Sequence, residues 1–277
     1  MTPEQFTQER KYLKNVTPRT LTWYRHSFKA FEGAIGNKAE IVERIAKMRE
    51  RGINPISVNT YLRCINAYLR WLHIEHGQPL IKIPRLKEEQ TVLATLTPDH
   101  VKRLIQFSPK GRNLKRAHTL TLLVLDTGLR FAEALSLTWD RVDLDNLVLK
   151  VLGKGGKHRV VPLSLECRKV LYRWKQQQRG TDLLFPTRSG IQSSQRNVGR
   201  DVRLLGQRLG ITGVRFSPHT FRHSFAVGYL RAGGNVLYLQ RILGHSSLEM
   251  TNRYTRSLGI DDLSAVHSKL SLLSRRT

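Results

Sequence analysis

Apolar residues recur every three or four positions along most of the chain, which is the spacing of amphipathic helices. Two series of this kind lie on either side of a Gly36-Asn37 break: Leu21, Tyr24, Phe28 and Phe31, and then Ile41, Ile45 and Met48. A third series follows Ser57, a candidate N-cap, and stops near Gly77: Val58, Leu62, Ile65, Leu69 and Leu72. The first part of the chain is therefore predicted to be helical.

Between Pro79 and Pro98 this period disappears, and the segment becomes polar and contains proline. Such a composition is typical of a linker. With 277 residues the chain is long enough for two modest domains. We therefore expect a helical domain with its linker over residues 1–90 and a second domain over residues 91–277.

The second part opens on a helix start, with Thr97 as the cap and Pro98 in the first turn. Between Val142 and Leu163, two apolar segments flank the turn Gly153-Lys154-Gly155-Gly156 and predict the two strands of a hairpin. Helical patterns resume afterwards and continue to the C-terminus. The predicted fold class is mainly α with a small antiparallel β-sheet: a helical N-terminal domain followed by an α+β domain.

The apolar pattern alone indicates only a helical protein. The charge of the chain additionally indicates a polyanionic partner. Lysine and arginine number 47 against 21 aspartates and glutamates, giving a formal net charge of +26. A basic ribosomal protein and a membrane-surface protein are the alternatives. Here, however, the basic residues are spread through segments with regular apolar patterns rather than gathered in tails or in one amphipathic basic helix. Double-stranded DNA is the expected partner, with binding that weakens as salt is added.

The cysteines and the hydropathy of the chain bear on its cellular location. Cys64 and Cys167 are the only cysteines and form no C-x-x-C pattern, so neither a disulfide framework nor a thiolate metal site is indicated. The N-terminus is polar, and the longest apolar run, around Leu120 to Leu125, is far shorter than the roughly 20 residues of a membrane span. We expect a cytoplasmic protein without a membrane segment.

Four short segments hold the candidate chemistry: TGLRFAEALSL with Arg130, VLGKGGKHRVVPL with Lys154, SPHTFRHSFA with His219 and Arg222, and LGHSSLEMTNRY with His245 and Tyr254. Taken singly, each segment is weak evidence for any particular function. His219 and His223 lie one helical turn apart, a spacing that can hold zinc, but the zinc-protease pattern needs Glu where this chain has Thr220. No metal site is predicted.

Taken together, the four segments resemble the tyrosine recombinase family, which includes the phage integrases and the Xer-type resolvases. The pattern T-G-L-R-x-x-E contains Arg130 and Glu133, G-K-G-x-K-x-R contains Lys154, and H-x-x-R contains His219 and Arg222. L-G-H followed by T-x-x-Y contains His245, Thr251 and Tyr254. All six of the family's active-site positions are present in order. The first 90 residues resemble the family's helical core-binding (SAM-like) domain, without a sharp motif. One departure is Phe221, where Leu is more usual.

The resemblance implies a role for each residue. Tyr254 would attack a DNA phosphate, Arg130 and Arg222 would clamp the phosphate oxygens, and His219 would accept the phenol proton. His245 would hydrogen-bond the phosphate, and Lys154 would protonate the departing 5′ oxygen. Lys157 and Arg159 on the hairpin, and Arg63 and Arg70 on the third helix, are expected to contact DNA.

The implied product is a 3′-phosphotyrosyl link that a second strand can attack, so bond energy is conserved and no cofactor, ATP or metal is required. Exchange between two duplexes needs four active sites, which implies a homo-tetramer on DNA. An amphipathic helix through Ile260, Leu263, Val266 and Leu270 would pack either on a neighbouring protomer or on its own domain.

Two alternatives remain at this point. A type IB topoisomerase uses similar residues but relaxes a single duplex, and a basic DNA-binding regulator could keep the residues without the activity. The sequence leaves open the target site, any second recombinase or accessory protein, and the choice between integration or excision, dimer resolution and inversion.

Overall fold

The computed structural model describes residues 2–88, 94–153, 156, 158–178 and 180–270, with side chains as far as residue 268. The chain divides into two compact units, Met1–Thr91 and Val92–Thr277. Within the described residues, no helix is both long enough and apolar enough to cross a membrane.

Over its described residues, 2–88, the first unit contains four helices: α1 Pro3–Tyr12, α2 Pro18–Phe31, α3 Lys38–Glu50 and α4 Pro55–His76. Each begins at a side-chain cap that accepts a hydrogen bond from a backbone N–H of the first turn. One face of α3 and α4 supplies a buried aliphatic core that includes Ile41, Leu62 and Ile65. The predicted helical domain is present.

Two details of this unit differ from the sequence prediction. The cap of α4 is Asn54, whose side chain accepts from the N–H of Ser57, because Pro55 occupies the first helical position. Helix α1 was not predicted, since its apolar pattern is a single residue. That residue, Phe6, is fully buried in a second core cluster, against Tyr24, Phe28, Tyr68 and Trp71.

The second unit is mainly helical. Its helices are α5 Pro98–Gln106, α6 Arg112–Thr127, α7 Phe131–Leu135, α8 Leu165–Lys175, α9 Gln195–Arg208, α10 Pro218–Arg231, α11 Val236–Leu243, α12 Glu249–Asn252 and α13 Ile260–Leu270. Short 3-10 turns lie at Trp139–Arg141 and Thr255–Ser257. Thr97 caps α5, as the sequence predicts.

Three antiparallel strands form the sheet: β1 Val142–Asp143, β2 Val148–Leu152 and β3 His158–Pro162, in that order. In the β2–β3 hairpin, Lys150 pairs with Val160 and Leu152 with His158, around the predicted glycine-rich turn. The two-residue strand β1 pairs with β2. The sequence pattern predicts only the two strands of the hairpin and does not predict β1 as a further strand. The fold class is thus confirmed: mainly α with a small antiparallel sheet.

Helix α6 is the centre of the second unit, with Leu120, Leu123 and Val124 fully buried, and it contacts α8, α9 and α10. It ends at Gly128, which has φ +64°. A Cβ there would collide with Phe225 and Leu243. Only glycine fits this turn, which leads directly into Arg130.

The C-terminal helix α13 lies where the apolar pattern predicts. It contacts α10 of its own chain, and Asp262 pairs with Arg231 at 3.1 Å. Ile260 and Leu263 remain 76% and 53% exposed, so much of the apolar face of α13 is not covered by its own domain.

Candidate active site

Arg130 is the N-cap residue of the short helix α7 and is tied to Glu133 within the same turn. Its backbone N–H and one side-chain nitrogen donate to the two carboxylate oxygens of Glu133, both at 2.9 Å. A second side-chain nitrogen donates to the carbonyl of Gly244 at 3.1 Å. The side chain is 37% exposed, so the arginine is held in place but still faces solvent.

Arg159 holds the same carboxylate from the other side. Two of its nitrogens donate to the two oxygens of Glu133 at 3.0 and 2.7 Å, and Nε donates to the carbonyl of Ile242 at 2.9 Å. Its side chain is only 12% exposed. This is not the solvent-facing position expected of a phosphate contact on the hairpin: within the described residues, Arg159 links β3 to α7 and α11. Its DNA contact stays a prediction.

Glu133 is an unpredicted centre of this arrangement. Burial by itself would raise the pKa of this carboxyl, but hydrogen bonds from Arg159 and Arg130 outweigh it and lower the pKa. The residue is therefore ionised, and its charge orients two guanidinium groups.

Arg222 lies on α10 and is 7% exposed. It donates to the carbonyls of Gly128 at 2.5 Å and Leu243 at 2.8 Å, and to Nε2 of His245 at 2.9 Å. Burial, followed by repulsion from Arg130, lowers the pKa of Arg222 to about 10, so it stays protonated at neutral pH. Three of its five N–H donors are used by these bonds.

The hydrogen bonds of His245 define its protonation. Nε2 accepts from Arg222, and the other ring nitrogen lies 2.8 Å from Oγ1 of the buried Thr251, to which it donates. Burial and the nearby Arg222 and Arg130 lower the pKa of His245 to about 4. The imidazole is therefore neutral at physiological pH.

Tyr254 is buried, with 2% of its surface exposed, among apolar residues of α10 and α11. Its ring stacks on that of His245, with centroids 6.1 Å apart and an interplanar angle of 14°. Its other ring neighbours are His223 at 5.6 Å and the Arg253 guanidinium at 5.7 Å. The candidate nucleophile thus lies beside two imidazoles and a cation.

His219 and His223 occupy successive turns of α10. His219 is exposed, whereas His223 is half-buried and its Nδ1 is buried without a hydrogen-bond partner among the described residues. Burial and the charge of Arg253 lower the pKa of His223 to about 4. The sequence indicates His223 only as a possible metal ligand and does not predict its contact with Tyr254. No group of three potential metal-binding side chains occurs in the described part of the chain.

Lys154 and Lys157, on the hairpin turn, lie outside the described residues. The expected DNA contacts of the first unit are exposed on α4: Arg63 and Arg70. Both line one groove that contains two acidic side chains, Glu9 and Glu75, and six basic ones, Arg10, Lys14, Arg63, Arg70, Lys82 and Arg85.

The structure has a second basic surface, which was not predicted from the sequence. Arg196, Arg200 and Arg203 lie on the exposed face of α9, opposite the buried Val198 and Val202. Their spacing of four and three residues is visible in the sequence and is the signal that could have identified this face.

Residues 94–259 match the family model described as the phage integrase family, a range that contains all six candidate catalytic residues. The chain belongs to the phage integrase family. Within this family, a tyrosine recombinase XerC from Xanthomonas campestris pv. campestris is 30% identical over 268 residues, covering 91% of this chain and 83% of the relative. A tyrosine recombinase XerA from Thermococcus kodakarensis is 31% identical over 270 residues, covering 95% and 93%.

Solved structures share the fold at lower sequence identity. The Tn1549 transposon integrase in complex with transposon right end DNA matches with a TM-score of 0.79 and 20% identity, covering 98% of this chain and 100% of that one. XerH site-specific recombinase bound to a palindromic difH substrate matches with a TM-score of 0.73 and 18% identity, covering 99% and 85%. The family fold therefore extends over both units of the chain.

Proposed function

We propose that the protein is a site-specific DNA recombinase that cleaves and rejoins duplex DNA through Tyr254. The observation that carries this proposal is the series of contacts from Arg222 through His245 to the ring of Tyr254. A phosphodiester reacts when it is held in line with its nucleophile and when the charge on its non-bridging oxygens is neutralised. Positively charged side chains close to a tyrosine meet both of these requirements.

In the first step the hydroxyl oxygen of Tyr254 attacks the phosphorus, and the bond from phosphorus to the 5′ oxygen breaks. His219 accepts the phenol proton, and Lys154 donates a proton to the departing 5′ oxygen. The products are a 3′-phosphotyrosyl link and a free 5′ hydroxyl. A 5′ hydroxyl of another strand then reverses the step, so one phosphodiester replaces another and no ATP, metal or other cofactor is consumed.

Arg130 and Arg222 are the phosphate clamp. The bonds that Arg222 makes to Gly128, Leu243 and His245 leave two of its five N–H donors for a substrate oxygen, and Arg130 is partly exposed. Their fixed positions reduce the reorganisation needed when a phosphate binds.

Residues 1–90 act as a core-binding domain and residues 91–277 as the catalytic domain. The basic groove with Arg63 and Arg70 in the first unit supports a DNA-binding role for that domain, and Lys157 and Arg159 complete the set of proposed contacts. The protein acts in the cytoplasm.

Recombination requires a homo-tetramer that joins two duplex sites, with α13 packed on a neighbouring protomer. The exposed Ile260 and Leu263 support this packing, because a helix with an uncovered apolar face gains from a partner. A second recombinase or an accessory protein is a further proposed partner.

The test is a denaturing gel for protein linked to DNA, run in EDTA without ATP. The probe is a nicked suicide substrate built on sequence flanking the gene, and the proteins are wild type, Tyr254→Phe and Tyr238→Phe. Tyr238 is an exposed tyrosine on α11 and serves as the matched control. A covalent band that only Tyr254→Phe loses supports the proposal, whereas a band retained by Tyr254→Phe contradicts the assignment of the nucleophile.

Further measurements on the same proteins distinguish two other functions from site-specific recombination. A topoisomerase-like enzyme would form the covalent band and remove supercoils without joining two sites. A non-catalytic regulator would bind DNA and form no covalent band on any substrate, including one selected from random-sequence duplexes.

A further inference from the structure

Thr251, on the short helix α12, is fully buried, and its hydroxyl does not follow the usual pattern of a buried threonine. The buried threonines Thr121 and Thr127 of α6 each donate to the carbonyl four residues earlier, at 2.7 and 2.6 Å. Oγ1 of Thr251 instead lies 2.8 Å from Nδ1 of His245, its only hydrogen-bond partner among the described residues. A hydroxyl can serve an imidazole nitrogen either as acceptor or as donor.

In the free protein the Thr251 hydroxyl acts as an acceptor. Arg222 donates to Nε2 of His245, so the ring proton is on Nδ1 and is directed at Oγ1 of Thr251. The hydroxyl proton of Thr251 then has no acceptor within the part of the chain that the structure describes. A buried donor without a partner costs free energy, so this arrangement depends on the bond from Arg222 to Nε2.

Thr251 also connects His245 to the nucleophile. The carbonyl of Thr251 accepts from the backbone N–H of Tyr254 at 3.0 Å, and the ring of Tyr254 stacks on that of His245. The side chain of Thr251 therefore holds the imidazole, while its backbone holds the turn that contains the tyrosine.

A phosphate in the site would change the hydrogen bonds of this group. Its oxygens attract the N–H donors of Arg222, which leaves Nε2 of His245 free to bind a proton and donate it to the phosphate. When Nε2 carries the proton of the neutral ring, Nδ1 has a lone pair that can accept a hydrogen bond. The Thr251 hydroxyl can donate to this lone pair, so its own proton gains the acceptor that it lacks in the free protein.

We propose that Thr251 is a positioning residue that lets His245 change from one neutral tautomer to the other when DNA binds. A proton from solvent binds Nε2, and the proton on Nδ1 returns to solvent, so the charge of the ring is unchanged. The Thr251 hydroxyl turns from acceptor to donor and keeps the ring in place throughout. This inference rests on the proposed function and deepens it, because it names the group that prepares His245 for the phosphate.

The first test is single-turnover cleavage of the suicide substrate by Thr251→Val and Thr251→Ser. Valine nearly keeps the shape of threonine but has no hydroxyl, so Nδ1 of the donating tautomer loses its partner. Thr251→Val should cleave about tenfold or more slowly than wild type. Thr251→Ser keeps the hydroxyl and should cleave within about threefold of the wild-type rate.

Thr121→Val is the matched control, since it also removes the hydroxyl of a fully buried threonine, but one that donates to a backbone carbonyl. Thr121→Val and Thr251→Val should each lower Tm by about 2–4 °C. Only Thr251→Val should slow cleavage, because loss of stability alone does not change the donor that meets the phosphate.

Nitrogen NMR of the histidine rings identifies the tautomer directly, and the signals of His245 are identified by their loss in His245→Gln. In the free wild-type protein the proton of His245 should be on Nδ1. Tyr254→Phe lacks the nucleophilic hydroxyl, so it can be studied bound to a duplex that the wild-type protein selects from random-sequence DNA. In this complex the proton should be on Nε2.

Three results would overturn the proposal. One is a His245 proton that stays on Nδ1 in the DNA complex. The others are cleavage by Thr251→Val at the wild-type rate, and cleavage by Thr251→Ser as slow as that by Thr251→Val, because His245 would then not need the hydroxyl. If wild type forms the covalent band and one of these results is found, this inference fails alone; if wild type forms no covalent band on any duplex, the proposed function fails.

Discussion

Arg222 donates a hydrogen bond to Nε2 of His245 at a donor–acceptor distance of 2.9 Å. A guanidinium has no acceptor, so Nε2 carries no proton and the ring proton is on Nδ1, which faces Thr251. With its pKa lowered to about 4, His245 stays neutral. Donation from Nε2 to a DNA phosphate therefore requires a proton to reach this nitrogen and Arg222 to turn its N–H toward the substrate.

Arg222→Lys tests the geometry of this pair rather than its charge. A lysine ammonium cannot reproduce the planar donors that meet Gly128, Leu243 and His245, so buried acceptors are left unpaired. We expect a loss of about 1–3 kcal/mol in the free energy of unfolding. We also expect the single-turnover cleavage rate to fall by about 10² or more, with DNA affinity nearly unchanged.

The comparison variant is Arg241→Lys, an exposed arginine of α11. Urea unfolding measures stability, and covalent trapping on the suicide substrate measures rate. If Arg222→Lys cleaves at the wild-type rate, a second planar phosphate clamp is not needed and its assigned role is incorrect.

Glu133→Gln should destabilise the protein by about 3 kcal/mol at pH 7, because Arg130 and Arg159 lose their buried counter-charge. The pKa of Glu133 is lowered in the folded state, since hydrogen bonds from the two arginines exceed the effect of burial. Its stabilising effect is therefore present above the ordinary carboxyl pKa of about 4.3 and is lost as pH falls through the folded value.

The measurement is urea unfolding of wild type and Glu133→Gln at pH 7 and at successively lower pH. The difference between the two proteins should shrink on acidification. A difference that is constant with pH would show that the carboxylate charge is not what stabilises this part of the site. Glu166→Gln, at an exposed surface pair with Lys169, should have little effect at any pH.

The sequence best predicts the elements that local interactions alone determine. Thr97 and Pro98 define a helix start by side-chain capping and a fixed φ, and the structure has the helix there. Alternating apolar residues on each side of a glycine-rich turn likewise predicted the hairpin. Helix α1 was missed because its stability comes from one residue, Phe6, packed among aromatics up to 65 positions away in the chain, at Trp71.

The candidate site likewise combines features that the sequence predicts with features that depend on tertiary packing. The motifs identified Arg130, Arg222, His245 and Tyr254 as a set. The structure describes contacts from Arg222 to His245 and from His245 to Tyr254, and the roles of these residues remain predictions. The hydrogen-bond partners could not be predicted, because Glu133 joins α7 to β3 through Arg159, a pairing of residues 26 positions apart. His223 was overlooked for a similar reason: its significance lies in its position beside Tyr254, which depends on how α10 packs.

Arg253→Gln should raise the pKa of His223 from about 4, since the Arg253 charge follows burial among the causes that lower it. A histidine with a lowered folded pKa stabilises the protein fully above its ordinary pKa of about 6.5, and this contribution is lost as pH falls toward the folded value. Wild type should therefore lose stability between pH 7 and pH 5, and Arg253→Gln should lose less.

Histidine NMR titration reports the pKa directly, and urea unfolding across the same pH range reports the stability. Arg256→Gln removes an exposed charge three residues further on and is the control. An unchanged titration of His223 in Arg253→Gln would mean that the guanidinium over the Tyr254 ring is too well solvated to influence its neighbours.

Gly128→Ala should be among the most damaging single changes in the second unit. Its φ of +64° disfavours any side chain by about 1–2 kcal/mol, and its Cβ would collide with Phe225 and Leu243, at a further cost of about 1–3 kcal/mol. Because the Gly128 carbonyl accepts from Arg222 and the next residue but one is Arg130, cleavage should fall together with stability. Gly77→Ala provides the comparison, since Gly77 ends α4 in the same left-handed conformation, at φ +62°, with open space around it, so only the backbone cost applies. Thermal unfolding and covalent trapping of both variants give the answer. Equal losses for the two would mean that α10 and α11 can move away from residue 128 without disturbing the arginines, and that the site does not depend on this close packing.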